Sequence, residues 1–263
     1  MIQIKTDAEI AKMREAGLVV GRTLALLALA VAPGISTGEL DAIAAANIRS
    51  EGAVPSFKGY HGYPATICAS VNEEIVHGIP SMDQVLREGD IVSLDCGAIL
   101  DGWHGDSAIT VPVGEISPEL RRLIEVTEES MWRGLAAAAI GGRVSDISSA
   151  IEEYARPFGY GIVEEYTGHG IGTEMHQEPA VPNFGRPGRG PSIVKGLALA
   201  VEPMLNLGRR QTKLLDDGWT VVTKDGLPSA HFEHTFTVTD DGPLVLTALD
   251  GGKSKLAALT AVG

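Results

Sequence analysis

Asp95 and Asp106 lie on neighbouring arms of a predicted β-hairpin, and they are the first residues here whose types and spacing indicate chemistry. Two alternating segments flank the turn signal Asp101-Gly102, which pairs Asp95 with Ala108. Asp95 and Asp106 then point to one face, because side chains repeat with a period of two along a strand. Adjacent carboxylates repel each other unless a cation lies between them. Because an isolated pair of this kind is usually a solvated polar face, its interpretation depends on the residues that join it.

A histidine and two further carboxylates extend this pair. Glycines flank His169 in the stretch 167–172, and they let the backbone bring the imidazole ring close to other groups. Glu202 follows an apolar segment, and Glu233 lies on the polar face of an alternating one. A lone histidine in such a loop is usually a structural residue, but this one accompanies four carboxylates at strand ends or on polar strand faces.

Four buried carboxylates would carry four negative charges, which is prohibitive unless cations balance them. Two divalent ions supply the matching charge, and oxygen ligands with a single imidazole suit Mn, Fe, Co or Zn. A pair of such ions can hold a bridging water and lower its pKa. The charge count therefore favours a dinuclear metal-dependent hydrolase and leaves the substrate open.

Capped helices and short strands are predicted to position these residues. Helices begin at the capping signals Thr6, Ser36, Ser117 and Ser145, and the third is expected to run to Gly141. Strands are predicted at residues 65–71, 91–99, 104–111, 197–203, 220–223 and 230–238. The order helix, glycine break, helix, strands occurs twice. We therefore expect one α+β domain over residues 1–250, with two similar halves (about 1–115 and 116–250) sharing a sheet, and a flexible tail at 251–263.

The composition is that of an ordinary globular protein and disfavours several classes. The 263 residues are 44% hydrophobic and 21% charged, and the formal net charge of −13 argues against binding to DNA, which needs basic patches. Cys68 and Cys96 have neither metal-site spacing nor a disulfide framework, so we expect a cytoplasmic protein. The apolar segment 24–32 is too short to span a membrane, and we interpret it as the buried end of a helix without membrane association.

Longer motifs give the chain a resemblance to a known family. These motifs are Gly59–Pro64, Val71–Pro80, Asp95, Gly105-Asp106, Gly168–Gly172, Glu202–Met204 and Phe232–His234. In type and order they resemble type I methionine aminopeptidases, from the first helix to about residue 248. The resemblance implies the pita-bread fold of the α/β (α+β) class, a pseudo-twofold sandwich of antiparallel sheet covered by helices around two divalent metal ions. It also implies that a hydroxide bridging these metals removes the initiator methionine from nascent polypeptides with a small second residue.

The resemblance also implies roles for single residues. Five would bind metal: Asp95 on one ion, His169 and Glu202 on the other, and Asp106 and Glu233 as bridges. Glu202 would also handle the proton of the bridging water. His77 and His176 would contact the substrate, and His176 would polarise the scissile carbonyl.

A substrate pocket and a second ion site follow from the same resemblance. The pocket for the methionine side chain would be lined by Tyr60, Tyr63, Cys68 and Trp219, although such residues on sequence alone are more often core. Asn72 and Ser229, with the backbone of Glu74, would hold a monovalent cation.

Three residues depart from the family pattern. Phe57 stands where some members have cysteine, Met175 where an aromatic residue is common, and His231 where an amide is common. They touch the pocket rim and the surroundings of the metal ligands, so they bear on substrate and inhibitor preference. No insertion lengthens the interval from His169 to Glu202, which fits type I. The lack of a zinc-binding or proline-rich N-terminal extension fits the short bacterial-like form.

The same scaffold also carries other functions, which this sequence fits less well. A proline-directed aminopeptidase or prolidase of this fold would usually carry a further N-terminal domain, for which the residues before Asp95 leave no room. Creatinase-like relatives lack the metal ligands. A non-catalytic binding protein would not be expected to keep all five ligands. The family suggests a monomer, and the basic cluster Arg209, Arg210 and Lys213 either meets RNA near the ribosome exit or is a solvated loop.

Overall fold

Five α-helices lie within residues 2–260, the part of the chain that this computed structural model describes. They are α1 (Asp7–Ala30), α2 (Thr37–Ser50), α3 (Pro118–Ala136), α4 (Val144–Ala155) and α5 (Lys253–Thr260). The first three predicted caps are confirmed, since the side chains of Thr6, Ser36 and Ser117 each accept a hydrogen bond from the backbone N–H three residues on. Each cap satisfies an N–H group that the first helical turn leaves unpaired.

Short antiparallel strands make up the rest of the regular structure. They are β1 (Val54–Pro55), β2 (Ile67–Val71), β3 (Glu74–Val76), β4 (Ile91–Leu100), β5 (Trp103–Pro112), β6 (Gly161–Ile162), β7 (Gly168–Gly170), β8 (Gln177–Val181), β9 (Ala198–Val201), β10 (Met204–Asn206), β11 (Thr212–Leu214), β12 (Val221–Thr223), β13 (Ser229–His231), β14 (Glu233–Thr239) and β15 (Gly242–Val245). The main sheet has the order β1-β4-β5-β14-β9-β7-β8, with β2 also paired to β4 and β15 to β14. Two smaller sheets, β13-β10-β6 and β11-β12-β3, complete the mixed helix and sheet class that was predicted.

The hairpin β4-β5 has the predicted register. Asp95 pairs with Ala108, and Gly97 pairs with Asp106. Asp101 and Gly102 both have positive φ, at 49° and 80°, which matches the turn type that two-residue hairpins prefer. The local turn signal was therefore enough to place both aspartates on one face of the sheet.

Each half of the chain builds its own core. One cluster lies between α1, α2 and the hairpin side of the sheet, and it includes Leu27, Leu40 and Leu94. The other lies between α3, α4 and strands β9 and β14, and it includes Leu135 and Phe236. The pairing of β5 with β14 joins the halves into one sheet, as the repeated layout in the sequence indicated.

Helix α1 crosses the hairpin at a pair of glycines. A Cβ atom on Gly105 would lie 2.8 Å from the Cα of Gly17, and one on Gly17 would lie 2.3 Å from the carbonyl oxygen of Leu246. Only glycine permits so close an approach of two backbones. The helix therefore rests directly against β5, one residue before Asp106.

Three predicted boundaries were wrong. Helix α4 begins after Arg143, whose N–H donates to Asp146 Oδ2 at 2.7 Å, so Ser145 lies inside the first turn, where its hydroxyl accepts from the N–H of Arg189. Helix α3 ends at Ala136, before the predicted end at Gly141. The single strand predicted at 230–238 is divided at Phe232, because β13 and β14 pair with different sheets.

The apolar segment 24–32 lies at the end of α1 and continues past it. Leu24 and Leu27 are buried, whereas Leu29 is 86% exposed, so the predicted burial holds for one side of the helix. Among residues 2–260, no helix combines the length and the apolar character that crossing a membrane requires. The segment expected to be a flexible tail contains α5, and residues 261–263 lie outside the described residues.

Candidate metal centre and active site

Neighbouring strands of the main sheet bring the five candidate ligands together. Asp95 lies on β4, Asp106 on β5, Glu233 at the start of β14, and His169 on β7, while Glu202 directly follows β9. Because β4, β5, β14, β9 and β7 are consecutive in the sheet, side chains on one face meet across it. They line a cavity of about 330 Å³.

This cavity is lined by every residue that the sequence proposed for catalysis, divalent-metal binding or the substrate pocket. The eleven residues are Tyr60, Tyr63, Cys68, His77, Asp95, Asp106, His169, His176, Glu202, Trp219 and Glu233. Phe57 and Met175, two departures from the family pattern, also line it. Val76 and Tyr166, to which the sequence assigned no role, line the cavity as well. Tyr166 directly precedes the glycine-rich stretch of His169, a proximity that could have suggested it.

The acidic end of the cavity suits a metal ion. Asp106, His169 and Glu233 are buried, and each offers one ligand atom such that the three atoms lie within 4.8 Å of one another. Within residues 2–260, Asp95 Oδ1, Asp106 Oδ1 and Glu233 Oε1 are buried without a hydrogen-bond partner. Buried polar atoms are nearly always paired, so these orphaned oxygens indicate that a cation belongs between them.

His169 is held in the form that binds metals. Its Nδ1 lies 2.9 Å from the carbonyl oxygen of Gly170, which can only accept, so Nδ1 carries the proton. The Nε2 lone pair is then free, and it lies 3.6 Å from Glu202 Oε1. A backbone carbonyl that fixes the tautomer of a ligating histidine is a common feature of metal sites.

Burial controls the protonation of the site when no metal is bound. It raises the pKa of Asp95 to about 7. Burial, and next the neighbouring carboxylates, also raises the pKa of Asp106, Glu202 and Glu233 well above the usual range. By contrast, burial lowers the pKa of His169 to about 3, so its ring is neutral. Without a metal ion, the cluster therefore holds protons that a divalent cation would replace.

We expect the metal-free protein to lose stability as the pH rises from 7 to 8. In this interval the four carboxyls are ionised in the unfolded chain but partly protonated in the folded one, so the folded state binds more protons. Each such proton lowers the free energy of unfolding by about 1.4 kcal/mol per pH unit. Thermal unfolding in a chelator at several pH values measures the slope.

The matched variant is Asp106→Asn, which keeps the shape of the side chain and removes one of the acids. Its metal-free form should lose less stability over the same interval. A wild-type slope that is zero or positive, or equal slopes in the two proteins, would contradict the protonated cluster.

Two further histidines, His77 and His176, line the cavity together with the candidate ligands. His176 Nδ1 lies 2.8 Å from the hydroxyl of Tyr60, and its ring centroid lies 4.3 Å from that of His169. His77 has a φ of 61°, a left-handed conformation that is strained for a residue with a Cβ and often marks functional sites. Burial lowers the pKa values of both rings, that of His77 to about 4. Both imidazoles are therefore neutral near pH 7.

An apolar recess adjoins the carboxylates. Tyr63 and Trp219 meet edge to face with ring centroids 5.0 Å apart, and Cys68 pairs with Asp95 across β2 and β4. The Tyr63 hydroxyl donates to the carbonyl oxygens of Ile67 and Gly78, each at 3.0 Å. The ring is thus fixed in place with its polar atom satisfied, and it offers an apolar face to the cavity.

Two further predicted sites lie outside this cavity. The N–H of Ser229 donates to the carbonyl oxygen of Asn72 at 2.9 Å, so the two residues expected near a monovalent cation are neighbours. Arg209, Arg210 and Lys213 are exposed. Arg210 forms an ion pair with Glu164, which leaves the basic cluster partly neutralised.

Comparisons with known proteins show which family the chain resembles in sequence and fold. Residues 11–240 match the model of metallopeptidase family M24. A methionine aminopeptidase of Clostridium acetobutylicum is 55% identical over 94% of this chain and 99% of its own. The crystal structure of methionine aminopeptidase from Rickettsia prowazekii has a TM-score of 0.92 at 42% identity and covers 94% of this chain and 100% of that one. Prolidase from Pyrococcus furiosus, at 23% identity and a TM-score of 0.75, shares the fold, but the match covers only 65% of that chain.

Proposed function

The chain belongs to metallopeptidase family M24, and from that premise we propose that it removes the N-terminal methionine from polypeptides whose second residue is small. The observation that carries this proposal is the cluster of buried carboxylates with orphaned oxygens beside an apolar recess. Relatives of nearly the same length are methionine aminopeptidases, and the fold is the pita-bread fold that the sequence predicted.

The metal centre is proposed to hold two divalent ions. Asp95, Asp106, His169, Glu202 and Glu233 would supply the ligands, and Co, Mn, Fe or Zn would suit this set of oxygens and one imidazole. Divalent ions in such a site lower the pKa of bound water and stabilise negative charge that develops on the substrate. The four carboxylates would balance the charge of two ions, whereas one ion would leave two carboxylates uncompensated.

The residues around this centre would handle protons and orient the peptide. Glu202 would accept the proton of the reacting water, because a carboxylate held beside the metal ions can act as a general base. At His176, a Tyr60 hydroxyl that donates to Nδ1 leaves the ring proton on Nε2. That Nε2–H group would donate to the carbonyl oxygen of the scissile bond, and His77 would contact the substrate from the same side of the cavity.

The recess would select methionine by shape and polarisability. Tyr63, Cys68 and Trp219 provide aromatic and sulfur contacts, and a thioether side chain packs favourably at aromatic edges. Phe57 and Met175 add to this wall. A charged or branched side chain would either be desolvated without a partner or fit poorly, so it would be excluded.

We expect peptides with Gly, Ala or Ser after methionine to have a kcat/KM at least about tenfold above those with Leu, Arg or Trp. The rings of Tyr60, His61 and His176 crowd the cavity beside the carboxylates, with centroids 4.3 Å apart for Tyr60 and His61 and 5.4 Å for Tyr60 and His176. A large second side chain would have to displace them. Release of free methionine from Met-Ala-Ser and Met-Leu-Ser measures the ratio.

Two control peptides make this assay specific for the proposed function. Leu-Ala-Ser tests the first residue, and Ala-Pro-Ser tests a proline-directed peptidase of the same fold. Equal kcat/KM values for Met-Ala-Ser and Met-Leu-Ser would show that these rings do not restrict the size of the second residue. Cleavage of Ala-Pro-Ser without release of methionine from Met-Ala-Ser would overturn the proposed function itself.

The proposed setting is the cytoplasm, where a monomer would act on nascent peptides beginning with methionine. Arg209, Arg210 and Lys213 would be the residues to meet RNA at the ribosome exit. A monovalent cation near Asn72 and Ser229 would stabilise the loop that leads to His77.

A further inference from the structure

His231 lies behind the candidate ligand Glu202, on the smaller sheet beside the metal centre. Both polar groups of its backbone bind one hydroxyl: the N–H donates to Thr110 Oγ1 at 2.9 Å, and the carbonyl oxygen accepts from Thr110 Oγ1 at 2.8 Å. Strand β13 also pairs His231 with Met204, two residues after Glu202. The side chain is 2% exposed, so the ring is closely surrounded by protein.

The ring presents one nitrogen to Glu202 without a hydrogen bond. Nε2 of His231 lies 3.7 Å from Glu202 Oε2, which is too long for a hydrogen bond. Among the described residues it is the one buried imidazole nitrogen that has no hydrogen-bond partner. Burying a donor or acceptor in this way is costly, and the Glu202 carboxylate is a neighbouring group that could satisfy it.

The two oxygens of Glu202 face different neighbours. Oε1 lies 3.6 Å from His169 Nε2, on the side of the other candidate ligands, whereas Oε2 faces His231. Once ionised, a carboxylate can only accept hydrogen bonds. The nitrogen that meets Oε2 must then be a donor.

We propose that His231 is a positioning residue for the metal centre, whose Nε2–H group donates to Glu202 Oε2 when metal is bound and so presents Oε1 to the ion. This inference rests on the proposed metal centre and adds to it a residue outside the ligand set. A histidine here replaces the amide that the family resemblance leads one to expect, and both side chains can donate a hydrogen bond to a carboxylate. Residues that orient metal ligands in this way typically change metal affinity by about 10–100-fold when they are lost.

Zn²⁺ affinity measured by competition with a chromophoric chelator tests the proposal on three variants. His231→Leu removes the donor at similar volume and should bind Zn²⁺ about 10–100-fold more weakly. His231→Gln keeps a donor and should stay within a few-fold of the wild type. His234→Leu is the matched control, because His234 is also a largely buried histidine but its Nδ1 lies 2.8 Å from Thr247 Oγ1 and its ring packs on Trp132. It should lose stability and keep its Zn²⁺ affinity.

A measurement on the wild type avoids any effect of a substitution on folding. In protein labelled with ¹⁵N-histidine and loaded with Zn²⁺, the resonance of His231 Nε2 should be that of a protonated nitrogen. An unprotonated Nε2 would overturn the proposal, and so would a Zn²⁺ affinity of His231→Leu equal to that of the wild type. Equal losses of Zn²⁺ affinity in His231→Leu and His234→Leu would also overturn it. These results do not depend on peptide cleavage. A wild type that binds no Zn²⁺ would instead count against the metal centre itself.

Discussion

Removing divalent metal ions is expected to abolish peptide hydrolysis, and adding back Co²⁺, Mn²⁺, Fe²⁺ or Zn²⁺ is expected to restore it. Hydrolysis of an amide needs a strong nucleophile. Cys68 is the thiol that lines the cavity, but burial, and next the charge of Asp95, raises its pKa well above the usual range. A neutral thiol is a weak nucleophile, so activation of water by metal is the route left to this site.

The experiment measures methionine release from Met-Ala-Ser after exhaustive chelation, with residual metal determined by elemental analysis. Readdition of one metal at a time, followed by titration, gives the number of ions needed for full activity. Activity that persisted in protein free of metal, and that a thiol-alkylating reagent then removed, would assign the reaction to Cys68 and contradict the metal mechanism.

Asp106→Ala and His176→Ala are expected to inactivate the protein for different reasons. Asp106 contributes one of the clustered ligand atoms and is 4% exposed, so its loss should release metal and remove activity. His176 lies outside that cluster and is held by Tyr60. Its loss should leave both metals bound but lower kcat by about 10²–10³, the usual effect of removing one donor to a developing oxyanion.

Metal content, kcat and KM of both variants separate these effects. KM of His176→Ala should change little if the contact strengthens only in the transition state. If His176→Ala instead lost metal and had a lower Tm, His176 would be shown to support only the structure of the glycine-rich loop. A wild-type kcat in this variant would likewise show that its role is wrongly assigned.

The parts of the fold that the sequence predicted depend on local signals. The hairpin register followed from Asp101-Gly102, because a two-residue turn fixes every pair of the two strands. The capping boxes at Thr6 and Ser36 depend on residues three apart. Such interactions are complete within one turn, so neighbouring elements do not alter them.

The parts that the sequence did not predict depend on distant partners. The division of the last long strand at Phe232 arises because β13 and β14 pair with different sheets, and the alternating sequence does not reveal this choice. The candidate site was predicted as a set of residues by resemblance, but beyond the shared face of Asp95 and Asp106 its geometry was not predicted. That Nε2 of His231 faces Glu202, and that Tyr60 meets His176, depends on side-chain directions that only the packed structure fixes.

The division of the two cores along the chain sets the order in which the protein can fold during synthesis. All buried residues of the first core lie between positions 19 and 113. This core can therefore form together with the hairpin β4-β5 while the second half is still being translated. Until β14 emerges, β5 has a free edge that bears Asp106, and free edges invite wrong pairings. The face of helix α1 at Gly17 likewise stays uncovered until Leu246 has been made. The last ligand, Glu233, thus arrives with the strand that closes the exposed edge.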